Sequence, residues 1–487
     1  MEKFDAIVIG AGPGGSTISG LLAAQGKKIL VVDKNARAGG KMTAIHKYGH
    51  TYEMFPLNMI PNGPSLFEKL AEETGKAHKI RNVAADESVK DDVRILYRDR
   101  KGKVHRLAMR DPKSMLAVGV GPLHLPKIVS FMKRHIGMSD EEISKLENIS
   151  AYDYMKQQNL PEAVFVYLTA AFGEGTFEMS SDLVPASHLV RVMQLAISSK
   201  HPTPRYYEGG IGGFFETILE TVEEKGGKLL MGTRVKSIDV VDGQAVGITT
   251  ELGESYVAPI IVSNAGIRQT VHKLVGDSNF DEEYADRING LQSNLADVGY
   301  RYFTSKPVLK NSTTVYFPWN CLEPWSAFEE MAAGTKKPES NYMYIGTKSI
   351  FPTVSPEGKQ IIYACMSCHP DPEQNLQPYL DYVENVMKEL YPALYEDGVI
   401  EHKEVMDLES VFKLGVDKIF KGQGGESYGI ANSLGQADGD MPRCKTPLNG
   451  LYIVGNDAEG FGVGCHRAVD SGFKLFEHLK EDGIITP

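Results

Sequence analysis

Two glycine-rich turns between a strand and a helix, one near each end of the chain, and an ordered helix–strand section between them predict an α/β fold. The first turn is "IVIGAGPGG" at 7–15. The middle section runs from "EGGIGGFFETILETVEE" at 208 to "IIVSNAG" at 266, and the last is "GLYIVGNDAEGFGVG" at 450–464. Together they predict a Rossmann-like dinucleotide-binding domain, discontinuous in sequence, assembled from 1–75, 205–265 and 425–487. The intervening stretches, 76–204 and 266–424, mix helix and strand patterns and are expected to form a second, α+β domain.

The elements follow in order. "DAIVIG" at 5–10 reads as a buried strand and "GGSTISGLLAAQ" at 14–25 as a helix with small residues on one face. Gly26 stops that helix, and "KKILVVD" at 27–33 is a second buried strand, completing a βαβ unit of about thirty residues. The pattern then loosens, with short strands such as "VRILYRD" between helical stretches such as "DEEISKLENISAYDYMKQQ". Order returns near 208 with a helix and three strand-like runs, two of them joined by a hairpin turn at Asp242–Gly243. Beyond 266 the pattern predicts strands near 297–304, 341–347 and 360–366 and a helix near 376–391.

The first turn carries chemistry. Gly10 permits a tight turn, Gly12 and Gly14 allow close backbone approach to a pyrophosphate, and Gly15 allows helix and strand to pack closely. The helix N-terminus offers N–H donors and positive dipole to phosphates. Asp33, at the tip of the second strand, is placed to accept hydrogen bonds from ribose hydroxyls. The net charge of −11 argues against general nucleic-acid binding. The N-terminus enters a strand without an apolar signal region, so a cytoplasmic protein is expected. No run reaches the roughly 18 apolar residues of a membrane span. Five cysteines in such a chain are not expected to pair.

The stretch after Asp33, "DKNARAGGKMTAIHKYGHTYEMFP", resembles a flavoprotein pattern. Asp33 and Lys34, acidic then basic, are followed by Arg37 and by Gly39, Gly40 and Lys41, with Arg37 and Lys41 expected to oppose diphosphate charge. With "YYEGGIGGF", "GTRVKSI", "IIVSNA" and "KTPLNGLYIVGND" in that order, the chain resembles the FAD-dependent phytoene desaturase, carotenoid isomerase and retinol saturase-like family within the amine oxidase superfamily. The resemblance covers roughly 5–60, 205–265 and 425–478. It implies FAD as cofactor, with the Val235 backbone holding adenine. Gly455 and Asp457 would lie beside the ribityl or phosphate part, and Gly462, Val463 and Gly464 at the isoalloxazine edge. Asn456 stands where the family more often has a glycine. The resemblance further implies a long apolar substrate and hydride exchange at flavin N5, by desaturation, saturation or isomerisation. Two alternatives remain: an amine oxidase breaking C–N bonds, and a prenyl-binding carrier of the GDP-dissociation-inhibitor type, for which intact nucleotide motifs would be superfluous.

The electron partner and the catalytic acid or base are unassigned. His46, His50, Tyr52, Glu53, Arg205, Tyr206, Tyr207 and His466 are the candidates for proton transfer. Cys444 and Cys465 do not stand at the offset of a covalent flavin link. "CMSCH", Cys365 to His369, ends a strand-like run and reads as structural, and no metal-ligand set has convincing spacing. Within 115–137, Ile128, Phe131, Met132 and Ile136 recur at near-helical spacing amid Lys127, Lys133, Arg134 and His135. That pattern fits a helix packed on the second domain or a peripheral membrane contact.

Overall fold

The structure, a computed structural model, describes residues 2–55, 65–84, 94–107, 112–198 and 205–485. Its first sheet is wholly parallel. The strands run Leu451–Ile453, Ile261–Ser263, Ala6–Ile9, Ile29–Asp33 and Lys228–Met231 across it. A parallel sheet is covered on both sides, so its strands are continuously apolar. Period-two alternation then sorts the side chains. Ala6, Val8, Ile29 and Val31 face helices Pro13–Ala24, Gly210–Glu224 and Cys465–Glu481. Ile7, Ile9, Leu30 and Val32 face a three-stranded antiparallel sheet, 235–257, whose Ile238, Ile248 and Tyr256 close the other side. The hairpin at Asp242–Gly243 forms as expected, both residues having positive φ (49° and 72°).

The second sheet has seven strands in the order Ile400–Met406, Ala296–Thr304, Gln360–Cys368, Met343–Gly346, Thr313–Pro318, Arg94–Arg98 and Val104–Leu107. Every strand of the parallel sheet comes from 1–75, 205–265 or 425–487, and every strand of the seven-stranded sheet from the two intervening stretches. Helices between 112 and 198 pack around Phe131, Met155, Leu168, Leu189 and Met193 as a separate layer. None of the described helices is long and apolar enough to cross a membrane.

Helix Leu125–Ile136 divides the apolar residues that the sequence grouped together. Ile128 and Phe131 turn inward, while Ile136 stays on the outer face with Leu125 and Val129. His135 corrects the expected basic rim. It is buried, bonded to the Phe131 carbonyl and the Tyr154 hydroxyl, both at 2.7 Å, and burial lowers its pKa.

The closest backbone approach holds the first turn. A Cβ built on Gly15 would collide with the carbonyl oxygen of Gly10, and one on Gly14 would lie 2.7 Å from the Gly455 nitrogen. Gly15→Ala is therefore expected to lower stability by about 3 kcal/mol. Gly290→Ala, at the end of a helix with open space around it, should be neutral. Urea-unfolding midpoints of the two variants compare them directly, and equal midpoints would contradict the packing argument.

Candidate functional site

The carboxyl ends of the parallel strands open onto one cavity of about 830 Å³. Its floor is Ile9, Gly10, Gly12, Asp33, Asn264, Val454 and Gly455, residues at or just beyond the strand ends, where ligands of open α/β sheets bind. Asp33 accepts from Ala11 N (2.6 Å) and Asn35 N (2.7 Å). Burial raises its pKa against those bonds. Each oxygen keeps a lone pair for a ribose hydroxyl. Val235 lines the same end.

The charged residues after Asp33 have specific partners. Lys34 lines the cavity and pairs with Asp417 at 3.0 Å. Arg234, Lys273 (3.1 Å) and the Gln269 amide (3.1 Å) reach the same carboxylate. Burial pushes Asp417 up, but the bonds from Arg234, Lys34 and Lys273 outweigh it and hold the carboxyl well below the usual range. Lys41 lines the cavity with its ammonium on the carbonyls of Glu426 and Tyr428 (3.5 Å), and burial lowers its pKa. Arg37 is not among the lining residues. Its guanidinium forms a two-bonded pair with Glu216 at 2.8 and 3.0 Å. Gly14, Gly15 and Gly39 also stand behind the lining and serve packing, whereas Gly40 is part of the wall.

At the other end Asp457 accepts from Ile267 N and Ile430 N, both at 2.9 Å, so it ties three chain segments together while facing the cavity. Gly462, Val463 and Gly464 line the wall leading into helix Cys465–Glu481. Both helices that start at the cavity, at Pro13 and at Cys465, are capped by glycines that make no side-chain cap bond. No side chain therefore competes with a ligand for their first-turn N–H groups, although the His466 N–H already bonds the Val463 carbonyl at 3.2 Å. The buried Asn456 Oδ1 and Gln269 Oε1 also lack a hydrogen-bond partner among the described residues and belong to lining residues. Glycine cradle, open helix N-termini, ribose acceptor and unpaired carbonyls fit a flavin dinucleotide.

The proton-transfer candidates mostly lie elsewhere. Glu53 is fully buried outside the cavity lining. Its carboxylate accepts from Tyr206 and from Ile211 N (2.8 Å) and pairs with the buried Lys348, while Tyr363 donates to its carbonyl at 3.1 Å. His46 bonds Thr51 at the surface, His50 bonds Ser355, Tyr52 bonds Glu404, and Tyr207 is buried in the core. The side chain of Arg205 lies outside the described residues. Only His466 reaches the cavity, and burial holds its pKa down at about 4. Neighbouring Cys465 also lines the wall, its thiol pushed up to about 12 by burial.

The sequence reading missed a polar group in the cavity wall beside the 427–430 segment. Residues Ala170–Glu174 form a π-helical turn, and Glu178 follows with φ +46°, a left-handed conformation that is uncommon for glutamate. The Glu178 carboxyl accepts from Ser367 Oγ at 3.0 Å, and Asp297 accepts from Ser427 Oγ at 3.3 Å. All four line the cavity with Tyr342, Tyr344, Tyr428 and Cys365. Burial raises Glu178 far above the carboxylate range, aided by Asp297, and pushes Asp297 up to about 6. Cys365 and Cys368 cannot act as a CxxC pair, because strand residues three apart point to opposite faces. Cys365 faces the cavity and Cys368 the core beneath helix Gln377–Leu390.

The family described as flavin containing amine oxidoreductase matches residues 18–474, and the chain belongs to it; its cofactor is FAD. The chain is 23% identical over 388 residues to a phytoene desaturase of Fusarium fujikuroi, covering 74% of this chain and 65% of that protein, so it spans just under two thirds of that relative's length. It is 22% identical to an all-trans-retinol 13,14-reductase of Danio rerio, covering 94% of this chain and 83% of that protein. The fold matches a crystal structure of an oxidoreductase from Methanosarcina mazei with TM-score 0.69 and 18% identity, over 97% of this chain and 99% of that one.

The carboxyl pair gives a pH test. Native Asp297 keeps its proton up to about 6, while an exposed aspartate loses it near 3.8. The native state therefore binds the extra proton across that window, and stability falls as pH rises through it. Asp297→Asn, which cannot ionise, is expected to flatten that fall in urea midpoints measured from about pH 4 to about pH 7. An unchanged slope would contradict the raised pKa.

Proposed function

We propose that this member of the flavin-containing amine oxidoreductases uses FAD to desaturate, saturate or isomerise carbon–carbon bonds of a hydrophobic, isoprenoid or polyene substrate. One observation carries the reading: a single cavity joins the nucleotide floor to a chamber walled by Tyr167, Phe172, Val192, Leu195 and Val315. The names of the desaturase and retinol reductase relatives support the same substrate class. In this reading the parallel-sheet unit binds FAD, and the seven-stranded sheet with its helical layer binds substrate.

Bound FAD supplies a two-electron hydride acceptor or donor. The chain's own residues position the reactants. Gly10, Gly12 and the helix at Pro13 would hold the diphosphate, and Asp33 a ribose. Gly462 to Gly464, at the start of the last helix, present N–H groups and positive dipole where negative charge accumulates. The apolar chamber excludes water from the reacting carbons. Anaerobic spectroscopy of the FAD-loaded protein tests this. A polyene or isoprenoid should bleach the oxidised flavin or reoxidise the dithionite-reduced flavin, or change isomer ratio only with reduced flavin. Bleaching by primary amines with no response to any polyene would overturn the reading.

We also propose peripheral contact with a membrane, from which such a substrate is collected. Leu116, Leu123, Leu125, Val129 and Ile136 are exposed, Leu123 by 94%, beside exposed Lys127, Lys133 and Arg134. Apolar side chains with a basic rim suit an anionic lipid surface. Leu195, which lines the cavity, is exposed on helix Ala186–Ser198, packed against Leu125–Ile136. The protein should co-sediment with vesicles containing anionic lipid, and Leu123→Asp/Val129→Asp should reduce the bound fraction several-fold; equal sedimentation of both would refute the contact.

A further inference from the structure

The cavity wall beside the 427–430 segment is built unlike a hydrocarbon site. Tyr342 is about nine-tenths buried and lines the cavity, yet its hydroxyl makes no hydrogen bond among the described residues. Its ring and hydroxyl sit directly over Gly175, where a Cβ would come within 3.0 Å of the hydroxyl oxygen. Glu178, also in the wall, uses one carboxyl oxygen to accept from Ser367, and the other makes no hydrogen bond among the described residues. A hydroxyl or carboxyl sealed from water without a partner loses the hydrogen bonds that water gave it. A purely hydrocarbon ligand would displace water from both groups and give nothing back.

We propose that the substrate carries an oxygen function, a hydroxyl or a carbonyl, and that the Glu178 carboxyl and the Tyr342 hydroxyl bind it at this part of the cavity wall. The proposal rests on the reading of the chain as a flavoenzyme of isoprenoids or polyenes, and it narrows that class to oxygenated members. A neutral carboxyl both donates and accepts, so beside a phenol it matches either oxygen function. Burial keeps Glu178 in that neutral form, and the neighbouring Asp297 reinforces it. The seven-stranded sheet fixes the pair. Asp297 stands directly opposite Ser367 on the adjacent antiparallel strand, so the donor to one carboxyl is set by the register that places the other. Glu178 is tied from the backbone side, its carbonyl accepting from Leu295 N at 2.6 Å.

The test uses the FAD-loaded protein and matched pairs of one skeleton: all-trans-retinol against axerophtene, and zeaxanthin against β-carotene. Dissociation constants come from perturbation of the bound-flavin spectrum. In at least one pair the oxygenated member is expected to bind roughly ten-fold more tightly or better. Glu178→Leu and Tyr342→Phe should each cut the preference to about three-fold or less, while Glu178→Gln, which still donates and accepts, should keep most of it. Flavin content equal to that of the native protein certifies the fold of each variant. Equal affinity within both pairs, with the hydrocarbons still exchanging electrons with the flavin, overturns the proposal and leaves the polyene reading standing. A preference that survives both Glu178→Leu and Tyr342→Phe also overturns it. Failure of all four compounds to bind overturns the proposal and the polyene reading together, as does tighter binding of retinylamine than of retinol.

Discussion

The side chain of Asn264 holds together three parts of the chain that are far apart in sequence. With its carboxamide oriented to satisfy both neighbours, it accepts from Gly12 N at 3.3 Å and donates to Val454 O at 3.1 Å. The backbone around it is as close as backbone can come. A Cβ on Gly10, Gly12, Gly14 or Gly455 would press on Asn264 itself, at 2.5 to 3.1 Å. The first turn, the middle strand and the last strand therefore meet only because glycine surrounds one amide. That junction is the cavity floor, so the geometry offered to a dinucleotide depends on it directly.

A second constraint links this floor to the rest of the molecule. Glu53 and Lys348 form a fully buried ion pair, completed by Tyr206, Tyr363 and Ile211 N. Burying two charges is expensive, and such a pair adds little net stability over an apolar replacement. What it adds is a fixed position: Glu53 follows the nucleotide segment, while Lys348 and Tyr363 belong to the seven-stranded sheet region. Asp457 does similar work at the far side, where its two oxygens collect N–H groups from Ile267 and Ile430. The cavity is thus flanked by two carboxylates that tie segments together, Glu53 fully buried and Asp457 half-buried in the cavity wall. Neither residue needs to exchange a proton in order to matter.

This explains what the sequence made legible. The parallel sheet and the glycine turns could be read because each is a local pattern, a few apolar residues ending in glycine. The hairpin at Asp242–Gly243 and the strand containing Cys365 were local in the same sense. The site of Glu53 and Tyr206 misled because proximity to a motif in sequence suggested proximity to the cofactor, and the buried Lys348 that claims Glu53 lies 295 positions away. Arg37 and Lys41 were expected to oppose diphosphate charge, and Lys34 to line the nucleotide as part of the same pattern; their partners, Glu216, the 426–428 carbonyls and Asp417, were equally invisible. Asn264 stood within a quoted motif, "SNAG", but nothing local marked it as the joint.

The substrate end was illegible for a different physical reason. Its chemistry comes from strand register. Gly299 pairs with Cys365 and Asp297 with Ser367 across two antiparallel strands more than sixty residues apart, so Asp297, Cys365 and Ser367 share one face by period-two alternation. A slip of one residue would turn all three away from the cavity and present their neighbours instead. In the sequence Asp297 is the one acid of a strand that also carries Arg301, and Cys365 belongs to a string that imitates a redox motif. Their common face exists only once the seven-stranded sheet has formed. That sheet, joining 94–107 to 296–406, therefore decides which side chains face its part of the cavity, just as the glycine junction decides the shape of the floor. Two parts of one cavity are set by different kinds of information, a local motif at the floor and long-range strand pairing at the Asp297, Cys365 and Ser367 wall.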